Sequence, residues 1–272
     1  MPCLNGAALR NSPPASVFRA GKAVAMALTL AASLLAATQA QASTLLVDSF
    51  EAPETPITSV FTAEDELQFN QFSPSVLGGV RGVYHHTYAN PLGSVAAMAV
   101  GNGVMSTSNG VGVQTEVLVL YGAFTRPTLD PDVGGPRLGL DATPYNAFQL
   151  DFTGMAKVMN INIVLYTAAP LDPGAPLYYT TVGVNVPPPP PGEGVQVVLP
   201  FSGNPNFNFG QVDGIALVID RANGNTGVAW TLDSFSLVSV VPEPAPVALW
   251  LAGLSVLAWR ARRRQGGAAQ QH

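Results

Sequence analysis

The chain predicts an all-β fold, an antiparallel β-sandwich or jelly roll, set between two apolar terminal segments. Three observations point there. Apolar-rich runs, mostly four to nine residues long, recur between Gly, Pro, Asn and Asp. Several of them alternate with period two. Outside the termini, no window carries the i, i+3, i+4, i+7 stripe of an amphipathic helix.

The expected strands are 44–47, 80–88, 95–100, 114–120, 147–152, 158–166, 177–184, 195–201, 214–219 and 228–240. The alternation is clearest where Asn160 and Asn162 interleave with Met159, Ile161 and Ile163, and again through Thr231–Val238. Residues 51–66 and 126–146 read as long loops. The Asn223-Gly224 pair within 223–227 is a hairpin signal ahead of the last strand. Pro187–Pro191, closed by Gly192-Glu193-Gly194, is a stiff polyproline II connector that no sheet interior accommodates.

The 272 residues divide into a leader (1–42), a single domain (43–240), a tail segment (241–264) and a short end (265–272). About 200 residues suit one large sandwich. In the leader, Arg10, Arg19 and Lys22 precede a fifteen-residue apolar run, Ala23–Ala37, and no acid occurs before Asp48. Ala40 and Ala42 then stand at the −3 and −1 positions of a cleavage site before Ser43. Basic region, short apolar core and A-x-A define a secretory signal peptide and imply signal peptidase as a partner. An uncleaved anchor helix is the other reading, but the run falls short of the roughly 20 residues that span a bilayer.

At the other end, Pro242-Glu243-Pro244 interrupts any preceding strand. The uncharged run 245–259 follows, about 22 Å long as a helix at 1.5 Å per residue. Arg260, Arg262, Arg263 and Arg264 close it. Arginines resist translocation, so such a transmembrane helix stops with them in the cytoplasm and leaves the domain outside.

Charge separates the segments further. Residues 43–240 hold sixteen acids and five bases, a net of −11, whereas the whole chain carries −5. So few cations cannot neutralise a run of phosphates, which excludes nucleic acid as a partner; divalent cations or neutral glycans fit the balance better. Cys3 is the only cysteine and lies in the leader, so the domain has neither disulfides nor thiolate metal ligands.

Candidate chemistry is sparse. Asp48, Glu51 and Asp233 are a candidate calcium site if the first and last strands lie side by side, since hard cations take several oxygens. Solvated strand-end acids are the plainer reading, and no cofactor is required. Asp130 and Asp132 form a second acidic loop without an EF-hand frame. His85 and His86 are adjacent on a strand and point to opposite faces. A ligand-contacting pair of His85 and Tyr84, or one histidine beside Tyr88, is set against ordinary strand residues. No G-x-S-x-G, H-E-x-x-H or P-loop occurs.

The tail resembles the PEP-CTERM sorting domain of Gram-negative bacteria. The match covers about 24 residues: Pro242, Glu243 and Pro244, Gly253 with Leu254 inside the apolar run, and Arg260, Arg262, Arg263 and Arg264. The resemblance implies recognition and processing by an integral-membrane exosortase. It further implies a membrane-anchored intermediate, then a cell-surface or extracellular product associated with exopolysaccharide and biofilm. The end 265–272 is longer than usual for that family; a plain tail anchor is the alternative. The domain loosely resembles galactose-binding-like jelly rolls through Asp48-Ser49-Phe50-Glu51, Gly78-Gly79-Val80-Arg81 and Leu232-Asp233-Ser234-Phe235, an analogy of fold that assigns no activity.

Together these features suggest an exported, non-catalytic surface or matrix protein whose domain binds glycan. A purely structural or adhesive protein is the alternative. A polysaccharide-acting enzyme is the second, and it requires two carboxylates about 5–10 Å apart across a cleft.

Overall fold

The computed structural model describes residues 43–51, 56–126, 128–132, 135–181, 183–201, 204–220 and 225–240. The segments read as a signal peptide and a sorting tail, with Ala40 and Ala42 of the expected cleavage site, lie outside the described residues.

Among the described residues fourteen strands form, in order β1 (Thr44–Asp48), β2 (Ile57–Phe61), β3 (Asp65–Phe72), β4 (Val80–Ala89), β5 (Ala96–Gly101), β6 (Val104–Asn109), β7 (Gln114–Gly122), β8 (Ala147–Met155), β9 (Met159–Tyr166), β10 (Tyr178–Thr180), β11 (Val184–Val186), β12 (Val195–Pro200), β13 (Gly214–Ile219) and β14 (Ala229–Val238). They build two seven-stranded antiparallel sheets. The first runs β12-β8-β14-β6-β5-β2, with β1 beside the second half of β14; the second runs β10-β9-β13-β7-β4-β3, with β11 also on β9. The fold is the all-β sandwich expected from the sequence.

Alternation sets the core. On β9, Met159, Ile161, Ile163 and Leu165 are fully buried between the sheets while Asn160, Asn162 and Val164 point outward. Facing them from the first sheet stand Phe148, Leu150, Phe152, Phe235 and Leu237. β13 reads Gly-Ile-Ala-Leu-Val-Ile and is buried on both faces, because a second apolar cluster covers its outer side: Leu118, Leu120, Ala216 and Val218 beneath Phe124 and Tyr166. A strand covered on both sides needs no polar positions and shows a continuous apolar run. Pro200 is tolerated in β12 because β12 is an edge strand.

Four expectations change. Residues 51–66 are not one loop; they contain β2 and the start of β3. β6 forms from a polar run with no apolar alternation, and 177–184 divides into β10 and β11, both paired to β9. β13 and β14, which flank 223–227, belong to different sheets and do not pair as the hairpin expected there would have them, while Asn223 and Gly224 lie outside the described residues. An Asn-Gly pair signals a turn but not which sheet receives the next strand.

Candidate functional site

The acids proposed for calcium are not brought together. Asp48 is fully buried, and Arg81, 0% exposed, donates from Nη1 to Asp48 Oδ1 at 2.5 Å. The Phe50 backbone N–H donates to the same oxygen at 2.7 Å, and the Tyr121 hydroxyl donates to Oδ2 at 2.9 Å. Arg81 Nη2 donates to Gln71 Oε1, and its guanidinium carbon lies 5.3 Å from the Phe50 ring centroid. Both Asp48 oxygens are therefore committed within the protein, to a cation supplied by the chain itself. Burial pushes the Asp48 carboxyl above its ordinary range, against the lowering by the Arg81 charge and the hydrogen bonds from Arg81, Phe50 and Tyr121. Burial, then the neighbouring Asp48 charge, drives the Tyr121 hydroxyl well up. Glu51 and Asp233 are exposed. Among the described residues no group of three His, Cys, Asp or Glu side chains is placed to hold a metal ion. β1 does lie beside β14, with Thr44 opposite Val238, so the topology argument holds while the ligand set does not.

β4 separates the paired histidines. His85 points inward, fully buried, with Nδ1 2.7 Å from Ser59 Oγ and its ring stacked on Phe61 at 5.2 Å. Burial, then the charge of His86, lowers its pKa to about 4. His85 and Tyr84 thus lie on opposite faces and cannot share a ligand, a correction that follows from strand alternation.

The other face of β4 carries Tyr84, His86 and Tyr88; Tyr84 is buried in the second apolar cluster, and His86 and Tyr88 are half-buried. The Tyr84 and His86 ring centroids lie 5.7 Å apart and those of His86 and Tyr88 5.1 Å apart, the second pair edge-on. Pairing register places His86 between Glu66 of β3 and Glu116 of β7, and Tyr84 between Gln68 and Leu118. The Tyr84 hydroxyl donates to Glu66 Oε2 at 2.6 Å, which fixes the ring, and the Tyr88 hydroxyl donates to the Asp220 carbonyl at 3.3 Å.

Across the same face, Asn162 Nδ2 donates to Asn160 Oδ1 at 2.9 Å, and Asn160 Nδ2 donates to Asn185 Oδ1 at 3.0 Å. β4 and β9 are three strand spacings apart, roughly 14 Å. The face is thus a broad platform with rings on one side and carboxamides on the other. Its apolar half is covered by Ala123, Phe124 and Leu129, and Gln68 Nε2 donates to the Thr125 carbonyl at 2.5 Å.

The sequence reading raised Tyr88 and one histidine as partners but did not select His86, and it missed Glu66, Asn160, Asn162 and Asn185. Period-two reading of Tyr84-x-His86-x-Tyr88 was the available signal. The first sheet's outer face carries a different cluster: Asp151 accepts hydrogen bonds from Gln196 at 2.9 Å, from Gln149 at 3.1 Å and from Ser234 at 2.8 Å. Partial burial raises the Asp151 carboxyl, yet the bonds from Gln196, Gln149 and Ser234 outweigh it and leave it below its usual range.

No protein-family model matches the chain, the tail segment included, and no curated protein matches it. Solved structures similar to it include carbohydrate-binding modules. A family 11 module of a cellulosomal cellulase from Clostridium thermocellum is 12% identical, with 74% of this chain and 98% of that chain covered and a TM-score of 0.34. A family 11 module from Clostridium thermocellum in complex with a β-1,3-1,4-mixed-linked tetrasaccharide is 11% identical, covers 74% and 98%, and scores 0.33. A family 29 carbohydrate-binding module is 12% identical, covers 70% and 97%, and scores 0.30. At these values no residue of those proteins is carried over to this chain.

Proposed function

We propose that the chain is an exported, non-catalytic surface or matrix protein that holds glycan on the outer face of β4. One observation carries the reading: His86 and Tyr88, alternate half-buried residues of a single strand, hold their rings 5.1 Å apart, with buried Tyr84 5.7 Å from His86 and held by the Glu66 carboxylate. A sugar presents an apolar C–H face and a rim of hydroxyls. Amphipathic rings take the first, and Asn and Glu side chains donate to and accept from the second. The acidic balance of 43–240 favours uncharged glycans over sulfated or uronate-rich ones. Export by the leader, processing by an exosortase and association with exopolysaccharide belong to the same proposal and rest on residues 1–42 and 241–264 of the sequence.

Affinity electrophoresis of residues 43–240 through gels cast with neutral polysaccharides, including the producer's own exopolysaccharide, tests the binding half. Retardation that is lost in His86→Ala and Tyr88→Ala is expected. Equal mobility in every gel overturns it. A structural or adhesive role is the second reading, favoured by Leu92, Val95 and Val111, which are 66%, 50% and 75% exposed at adjoining loop tips.

A further inference from the structure

We propose that the sandwich interior behind β4 is a binding site for ordered water, held by His85, Thr87, Thr107 and Asn109. These side chains come from strands that face each other across the gap. His85 and Thr87 are alternate inward residues of β4; Thr107 and Asn109 are alternate residues of β6. Two hydrogen bonds already cross the gap: Ser59 Oγ with His85 Nδ1, and Asn109 Nδ2 donating to Thr115 Oγ1, each at 2.7 Å. Register sets Thr115 opposite Thr87, Ser59 opposite Met98, and Met98 opposite Thr107. The six polar side chains therefore share one end of the interior.

Four atoms in this group are buried without a protein partner: His85 Nε2, Thr87 Oγ1, Thr107 Oγ1 and Asn109 Oδ1. Each buried polar atom left unsatisfied carries its desolvation penalty uncompensated. Four such penalties at one place would weigh heavily against the marginal stability of a domain. Water that accepts from and donates to two or more of them removes the cost.

This end is lined by the small side chains Ser59, Ala96, Thr87, Thr107 and Thr115 together with Met98 and the His85 ring stacked on Phe61, whereas Phe148, Phe201, Phe235 and Tyr121 fill the interior elsewhere. Neutral occupancy follows from the lining, since none of the six polar side chains is a carboxylate, lysine or arginine. Neutral His85 has one N–H and one lone pair, so after Ser59 takes one nitrogen the other suits a water in either orientation. The site backs the ring platform directly, because His85 and Thr87 alternate along β4 with His86 and Tyr88.

Oxygen-17 magnetic relaxation dispersion on the protein counts its long-lived internal waters. The wild type is expected to give a dispersion that loses one or two waters in Thr87→Val/Thr107→Val, together with a lower urea midpoint. A dry interior predicts the opposite sign: replacing an orphan hydroxyl with a methyl raises the midpoint and leaves the dispersion unchanged, and that result overturns the proposal. Should the double variant not fold, a high-resolution crystal structure of the wild type decides. Ordered density within hydrogen-bonding distance of His85 Nε2 and Thr87 Oγ1 supports the site, and side chains packed together without density overturn it.

Discussion

Acid should weaken this domain through a single ring. His85 is held at a pKa of about 4 against an ordinary value of 6.5. The unfolded chain therefore binds a proton between those values while the folded chain does not, and stability falls as pH falls through that window. Below about pH 4 both states are protonated and the loss is complete. From pH 7.5 to 4.5 linkage gives a loss of ~2.5 kcal/mol at 1.36 kcal/mol per pKa unit. With a urea m-value of roughly 1–3 kcal/mol/M, the midpoint moves down by about 0.8–2.5 M. The assay is urea unfolding followed by tryptophan fluorescence at both pH values, in wild type and in His85→Asn. The asparagine retains a partner for Ser59 but does not titrate. Subtracting the variant cancels the contributions of other groups, including Asp48, whose raised pKa acts in the opposite direction. Equal pH dependence in the two proteins would refute the reasoning, because it would mean that His85 takes up its proton alike in both states.

Other outcomes follow from the same coordinates. Arg81→Met should cost roughly 3–5 kcal/mol by leaving Asp48 buried without its cation, and adding Asp48→Asn should recover part of the loss; denaturant titration of the single and double variants checks both. Calcium or a chelator should leave the melting temperature of residues 43–240 unchanged, since Arg81, Phe50 and Tyr121 occupy the Asp48 oxygens; differential scanning fluorimetry reads this directly. Gly122→Ala should destabilise by at least ~1–3 kcal/mol. Gly122 sits at φ +64, and a methyl there would run into the Asp213 carbonyl and the Leu138 side chain. Thermal unfolding measures it.

The parts of the fold that sequence disclosed were those where burial controls residue choice. β13 and residues 117–121 of β7 announce themselves as unbroken apolar runs, and β9 through its interleaved asparagines. β3 was hidden because its inward set, Leu67, Phe69 and Gln71, is diluted by Asp65, Glu66, Gln68 and Asn70 on an edge strand. β6 was hidden for a related reason: Thr107 and Asn109 point into the polar end of the interior, so no apolar alternation marks the strand. The site was half legible. Alternation alone separates His85 from His86, but the commitment of Asp48 to Arg81 joins positions 33 residues apart. That pairing exists only once β1 and β4 have been brought together in different sheets, and no local pattern reports it.

Ser239 N donates to Ser43 O at 2.8 Å, so the domain receives and releases its chain at one corner. Tension applied between those ends would open the β1–β14 ladder from Thr44 and Val238 inward, one rung at a time, instead of loading all its rungs together. A sandwich threaded this way resists being pulled through by both ends less well than one gripped in shear. Held by one end only, it bears no load across that seam.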